Sequence, residues 1–210
     1  MSDFDCEPIR GLPEPLPPGE QLRWQGAPRW SALAKRAFHV RLVAIYFGLL
    51  ILWRIGAGWF AGESREHLVG SGLWLLALAL AAIGILALLA WFYARSTIYS
   101  ITDRRVIIRF GLALPMAVNI PFKSIETAGL RVYADGTGDL PLALIEGQQV
   151  GYFVMWPNVR PWSFIRKTQP MLRALPDAEQ AAEILAAALT AALAADQAVP
   201  DDAAPVAATS

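Results

Sequence analysis

The sequence predicts a membrane-anchored α+β fold: a two-helix transmembrane hairpin plus a small antiparallel β-barrel or sandwich closed by a carboxy-terminal helix. Three observations predict it. Two apolar runs, residues 42–62 and 72–92, are each long enough to cross a bilayer. A series of short segments rich in β-branched residues follows, separated by turn signals. Last comes an alanine-rich stretch whose large apolar residues recur at helical spacing. Composition agrees, since 55% of the 210 residues are hydrophobic and 17% charged, against about 25% charged in an ordinary soluble domain. The mean hydropathy is +0.39.

Charge and cysteine content exclude several functions. Lys and Arg together (18) equal Asp and Glu together (18), so no net positive field is offered to a nucleic acid. The single cysteine, Cys6, excludes an intrachain disulfide framework and any multi-cysteine metal site. It stands in a proline-rich stretch without a nearby histidine and reads as a free thiol.

Residues 1–27 form a proline-rich amino-terminal segment (Pro8, Pro13, Pro15, Pro17, Pro18). Its first 20 residues are expected to be extended or irregular. They are acidic and lack a short apolar core, which excludes a cleavable signal peptide. In residues 28–41, Trp30, Leu33, Ala34, Ala37 and Phe38 recur at helical spacing, with Arg29, Lys35 and Arg36 mostly elsewhere. This is either a basic amphipathic helix lying in the headgroup plane or a plain extension of the first span. Transmembrane helix 1 is expected over 42–62 and transmembrane helix 2 over 72–94, about 20 residues each, matching a hydrocarbon core about 30 Å thick. Arg23, Arg29, Lys35, Arg36 and Arg41 precede the pair, and Arg95, Arg104, Arg105 and Arg109 follow it, whereas loop 63–71 carries Arg65 beside Glu63, Glu66 and His67. By the positive-inside rule the loop is periplasmic and both termini are cytoplasmic, in the cytoplasmic membrane.

Residues 95–195 form the cytoplasmic domain. Strands are expected at 96–102, 104–110, 116–120, 125–133, 140–145 and 150–156, with turns at Asp103, 134–139 and 146–149. The final helix starts after Asp177 as N-cap, with Gln180 in capping-box position. Ile184, Leu185, Ala188, Leu189, Ala192 and Leu193 are its candidate buried stripe. Residues 196–210 read as a disordered tail. Strands closed by one terminal helix are the order of a pleckstrin-homology domain.

Candidates for chemistry are few. His39 and His67 fall on opposite sides of the membrane and share no metal. Neither lies within a span, unlike the chlorophyll-ligating histidine of an antenna polypeptide. ADGTGD (134–139) lacks the Gly-Lys-Ser/Thr ending of a P-loop and the carboxylate ladder of an EF-hand, and its glycines suit a tight turn. Glu126, Asp135, Asp139 and Glu146 are accompanied by no histidine or cysteine in the strand region. No catalytic, metal or cofactor site is therefore expected.

Contact residues are easier to nominate. Arg54 sits inside the first span, where an arginine costs at least ~2.5 kcal/mol. It either snorkels to the outer interface beside Trp53 and Trp59 or meets an acidic or carbonyl group of another polypeptide within the bilayer. Gly58 and Gly62 make a GxxxG spacing that permits close helix approach. Arg104 and Arg105, expected near the membrane, suit anionic headgroups at about 1 kcal/mol each, or serve only orientation and solubility. Trp156, Trp162 and Phe164, among Pro157 and Pro161, either cover the open end of the barrel or form a protein-docking patch.

The segments GLPEPLPPGE (11–20), LRWQGAPRWSALAKRAFHVR (22–41), YSITDRRVIIRFG (99–111), GTGDLPL (136–142) and PMLRALPDAEQAAEIL (170–185) carry a resemblance to the PuhB family of photosynthetic complex assembly proteins of purple phototrophic bacteria. The soluble part resembles bacterial pleckstrin-homology-like domains. TDRRV recurs widely among such domains, whereas GLPEPLPPGE and KRAFHVR are far more specific. The resemblance runs from about Gly11 to Leu193. It implies a non-catalytic membrane assembly factor for the reaction centre and the light-harvesting 1 complex, with no cofactor. The partners it implies are reaction-centre subunits, the H subunit first, light-harvesting 1 components, and a second copy of the chain. Contact surfaces would then be Trp30 and Phe38, Arg54, and the barrel rim at Trp156 and Trp162. The rival reading is a membrane-anchored lipid-binding adaptor working through Arg104 and Arg105.

Overall fold

A computed structural model describes residues 16–111, 114–145, 151–161 and 168–197. In chain order it contains β1 (Leu22–Gly26), α1 (Trp30–Arg36), α2 (Val40–Phe60), α3 (Arg65–Ser96), β2 (Ile98–Thr102), β3 (Arg105–Phe110) and β4 (Met116–Pro121). A 3₁₀ turn (Phe122–Ser124) leads to β5 (Ile125–Ala128), β6 (Arg131–Val132), β7 (Gly138–Leu144), α4 (Tyr152–Met155), β8 (Met171–Leu175) and α5 (Ala178–Gln197).

Helices α2 and α3 are long and apolar enough to cross a membrane. Large apolar side chains are exposed all along them, Trp53, Phe60, Trp74 and Leu80 among them, as suits a helix solvated by lipid. Gly62 ends the first in the left-handed region (φ +71°), and Ser64 caps the second by accepting from the His67 amide at 3.4 Å.

Strand β1 lies before the hairpin, yet it pairs antiparallel with β2 after it, Leu22 opposite Thr102 and Gly26 opposite Tyr99. The two ends of the hairpin therefore open on the same side. The first sheet runs β1-β2-β3-β4. In the second, β7 is central: β5 and β6 follow one another along one edge and β8 pairs with the other. Tyr99, Ile101, Val106, Ile108 and Phe110 of the first sheet meet Leu140, Leu142, Leu172 and Leu175 of the second, and α5 adds Ala178, Ala181 and Leu185. Gly138 admits the start of α5, since a Cβ there would lie 2.5 Å from the Ala178 Cβ and 2.9 Å from the Arg131 carbonyl oxygen.

Several expectations change. Residues 22–26, grouped with the proline-rich segment, are the edge strand of the first sheet. The connection expected over 63–71 shrinks to 61–64, because α3 begins at Arg65. The segment 125–133 breaks at Gly129–Leu130 into two strands. Within the strand expected at 150–156, residues 152–155 make one helical turn, and 146–150 lie outside the described residues. Residues 171–175 form a strand the sequence did not announce. The sheets do not close into a barrel, as β4 pairs with β3 and β5 with β7. Helix α5 continues to Gln197, past the expected end of the domain.

The amphipathic helix expected over 28–41 is also different. Helix α1 is separated from α2 by His39 in the left-handed region (φ +53°), so it does not simply extend the span. Its apolar face, Ala32, Leu33 and Ala34 with Ala37 and Phe38 beyond, belongs to the protein core. The pattern that reads as lipid-facing is satisfied by protein instead.

Candidate functional site

A buried polar knot joins the hairpin to the β-domain. At the end of α3, the Tyr93 hydroxyl accepts from Asn158 Nδ2 (3.2 Å), and Asn158 Oδ1 accepts from the Tyr99 hydroxyl (2.7 Å). The Tyr99 hydroxyl in turn accepts from the Arg173 amide (3.2 Å). Arg173 is 5% exposed and donates Nη1 to the Pro157 carbonyl and Nη2 to the Arg36 carbonyl, both at 3.0 Å. Asp139, 4% exposed, accepts from the Ala174 amide and from the Tyr133 hydroxyl, both at 2.8 Å. Burial pushes the Tyr99 hydroxyl far above its ordinary range. Burial also lowers the Arg173 guanidinium, while the Asp139 charge opposes that shift.

The same knot has a surface half. The Arg36 guanidinium lies 3.5 Å above the centre of the Tyr133 ring and pairs with Asp135. The Thr137 hydroxyl and the Arg36 guanidinium hold the Asp135 carboxyl down at about 2. The 134–139 turn therefore clamps the end of α1 as well as reversing the chain. Most of these groups satisfy one another, while Arg173 Nε and Arg36 Nη1 are buried without a hydrogen-bond partner; the arrangement fixes geometry rather than activating a nucleophile. Among the described residues no group of three or more His, Cys, Asp or Glu is placed to hold a metal. His39 and His67 stand at opposite ends of α2.

The nominated contact residues divide. Phe38 is buried and meets the Trp156 ring edge-on, centroids 5.3 Å apart, so it is packing and not a free contact. Trp156 is 44% exposed, with its carbonyl accepting from the Tyr93 hydroxyl at 3.4 Å. Trp30 is half-exposed at the start of α1. Trp162 and Phe164 lie outside the described residues.

Arg54 has found its partner within the chain: Nη2 donates to Glu63 Oε2 at 2.7 Å. Arg54 thus reaches along α2 to the connection at its end, the direction of the snorkelling reading, and takes its acidic partner there from its own chain. The hydrogen bond from Arg54 holds the Glu63 carboxyl below the usual carboxylate range. A Cβ at Gly58 would lie 2.6 Å from Arg54 Nη1 and 2.3 Å from Leu68 Cδ2. The glycine thus makes room for the ion pair and for α3, and Gly62 is the helix cap, so the GxxxG spacing has a use inside the hairpin.

Arg104 and Arg105 part company. Arg105 donates Nε and Nη2 to the two carboxylate oxygens of Glu20, each at 2.8 Å, and Glu20 is buried. Arg105 is therefore a tie to the amino-terminal segment and not a headgroup contact. Arg104 is exposed, at the end of β2 remote from α3, about 13 Å along the strand at about 3.3 Å per residue. Replacing Glu20 by alanine is expected to cost about 2 kcal/mol of stability, and Arg104→Ala less than about 0.5. Chemical denaturation of the detergent-solubilised protein compares the two, and equal losses would show that the Glu20–Arg105 pair contributes nothing special.

Asn158 and Arg173 were not nominated from sequence, and Asp139 was weighed only as a carboxylate of the 134–139 turn. The available signal was a charged residue inside each of two apolar runs, GDLPLAL and MLRAL, which in a buried strand demands a partner.

A family model described as bacterial PH domain matches residues 32–189. A Rhodobacter capsulatus protein named "Uncharacterized 23.7 kDa protein in puhA 5'region" is 38% identical over 192 residues, covering 91% of this chain and 89% of its own. No solved structure matches the chain significantly.

Proposed function

The chain belongs to the bacterial PH domain family, and from that premise we propose that it is a non-catalytic membrane scaffold for assembly of the photosynthetic reaction centre and light-harvesting 1 complex. One observation carries the mechanical part: β1 and β2 pair across the whole hairpin, and the Arg173–Asp139 knot ties α1, α3 and the second sheet together. Hairpin and β-domain are thus joined by strand pairing and by buried hydrogen bonds. Such a joined unit holds a partner's membrane helix and its soluble domain at a fixed height relative to each other. The photosynthetic assignment is supported by the resemblance carried by GLPEPLPPGE and KRAFHVR. It is supported also by the R. capsulatus relative, whose name sets it in the 5′ region of puhA, a locus sharing its stem with the PuhB family.

On this reading both termini and the β-domain are cytoplasmic, which agrees with the arginine-rich flanks and with the same-side opening of the hairpin. The partners on this reading are reaction-centre subunits, the H subunit first, light-harvesting 1 components, and a second copy of the chain as a further candidate. The lipid-adaptor alternative loses half of its cation pair, since Arg105 is engaged with Glu20.

Mild-detergent affinity purification from phototrophically grown cells, followed by mass spectrometry, tests the proposal. Reaction-centre or light-harvesting 1 subunits are expected to be enriched over equally abundant membrane proteins. Recovery of unrelated proteins alone, or of lipid alone, would sink it.

A further inference from the structure

The apolar stripe of α5 outruns the core that it covers. Leu185 is fully buried and Leu189 half-buried, but one turn further Leu193 is 64% exposed. Beneath it a groove of about 620 Å³ is lined by Phe122 and Ile125 below, Leu189 and Leu193 on the helix side, and Arg23 and Arg104 on the rim. Lys123 and Asp103 also line the groove; Asp103 Oδ1 accepts from the Gln21 amide at 3.0 Å, so the lining carries three cations against one carboxylate. Arg23 and Arg104 are exposed. The volume lies within the range of built ligand sites, about 300–1,000 Å³.

We propose that this groove binds an acidic, apolar segment of a partner protein. The apolar floor takes Leu, Ile or Phe side chains, and the cationic rim takes the Asp or Glu residues flanking them. An uncharged apolar peptide would offer Arg23 and Arg104 no counter-charge, and a purely acidic one would leave the floor wet. The groove also sits at the end of β2 remote from α3, so it faces a soluble partner more readily than an acyl chain. The inference rests on the scaffold reading for the statement that the occupant belongs to a partner.

The test uses the full chain in nanodiscs and two short fluorescent amphipathic peptides. One carries leucine on one face and glutamate on the other, and its control has glutamine in place of glutamate. The glutamate peptide is expected to bind about tenfold tighter than the control, and Arg104→Glu or Leu193→Asp to weaken it about tenfold. Both substituted side chains are exposed, so the melting temperature should not move. Equal binding of the two peptides, or binding indifferent to both substitutions, overturns the proposal. So does competition by phosphatidylglycerol vesicles that displaces the peptide, which would make this a headgroup site. Peptide binding seen only after removal of residues 1–15 overturns it as well, by assigning the groove to the chain's own amino terminus. Co-purification is then repeated with Arg104→Glu. Undiminished recovery of reaction-centre subunits by a variant that has lost the peptide removes the groove from the scaffold and leaves the scaffold standing. If the unaltered chain recovers none, the scaffold reading fails whatever the peptide does.

Discussion

Asp139→Ala is expected to destabilise the β-domain by about 3–5 kcal/mol, the range for breaking one side of a buried charged cluster. The carboxylate is the acceptor for the Ala174 amide and the Tyr133 hydroxyl, and its charge supports the buried Arg173 guanidinium. Its removal orphans the buried Ala174 amide and the part-buried Tyr133 hydroxyl and takes a favourable charge away from the buried Arg173. Ala174 adds to the cost. It is held at φ +55°, a conformation about 1–2 kcal/mol unfavourable for an L-residue, and the Asp139 bond is one of the restraints that keep it there. Against a total stability of about 5–15 kcal/mol, much of the protein should lose its packed domain. Asp139→Asn keeps an acceptor and should lose about half as much. Tryptophan fluorescence during chemical denaturation of the solubilised protein measures both. A loss below about 1 kcal/mol for Asp139→Ala, the level of an exposed ion pair, would show that the knot is redundant.

The second large effect lies at the seat of α5. Gly138→Ala should cost about 2–3 kcal/mol through overpacking, because its Cβ would meet the Ala178 Cβ at 2.5 Å and the Arg131 carbonyl oxygen at 2.9 Å. Neither neighbour has a flexible end to swing away. The cost should be shared: Ala178→Gly removes one obstruction, so the double substitution should recover about 1 kcal/mol relative to additivity. A purely additive pair would mean that the strand and not the helix absorbs the strain. Since α5 forms one wall of the groove, Gly138→Ala should also weaken peptide binding, and Ala178→Gly should partly restore it.

The hairpin was legible because each apolar run is a local property of about 20 residues, independent of what surrounds it. The same holds for β2 and β3, where IYSIT and RVIIRF are short β-branched-rich runs on either side of a turn at Asp103. Strand β1 was not legible. LRWQG contains no β-branched residue, and its partner lies beyond the hairpin, so nothing within reach along the chain marks it as a strand. MLRAL failed for a related reason, being composed of good helix formers whose strand state is imposed by pairing with β7. At the candidate site, charge was legible and partnership was not. Arg54, Arg104 and Arg105 stood out as cations, but only folding brings Glu63 to the first and Glu20 to the last. Arg104 stands exposed in the bend between β2 and β3, whereas Arg105 opens β3 and pairs with Glu20.

Nesting the hairpin between β1 and β2 also sets a timetable for biosynthesis. At about 5–20 residues per second, the ribosome completes β1 several seconds before β2 exists. Throughout that interval β1 has an open edge, and α1 lacks the α3 end on which its apolar face packs. On the membrane-spanning reading, a chain that enters the bilayer can close the sheet only after its second helix has brought it back to the side it left. A hairpin stalled after one crossing would strand β1 and β2 in different compartments, where no folding of either half could mend it. On that same reading, pairing of β1 with β2 couples folding of the first sheet to the return of the second helix.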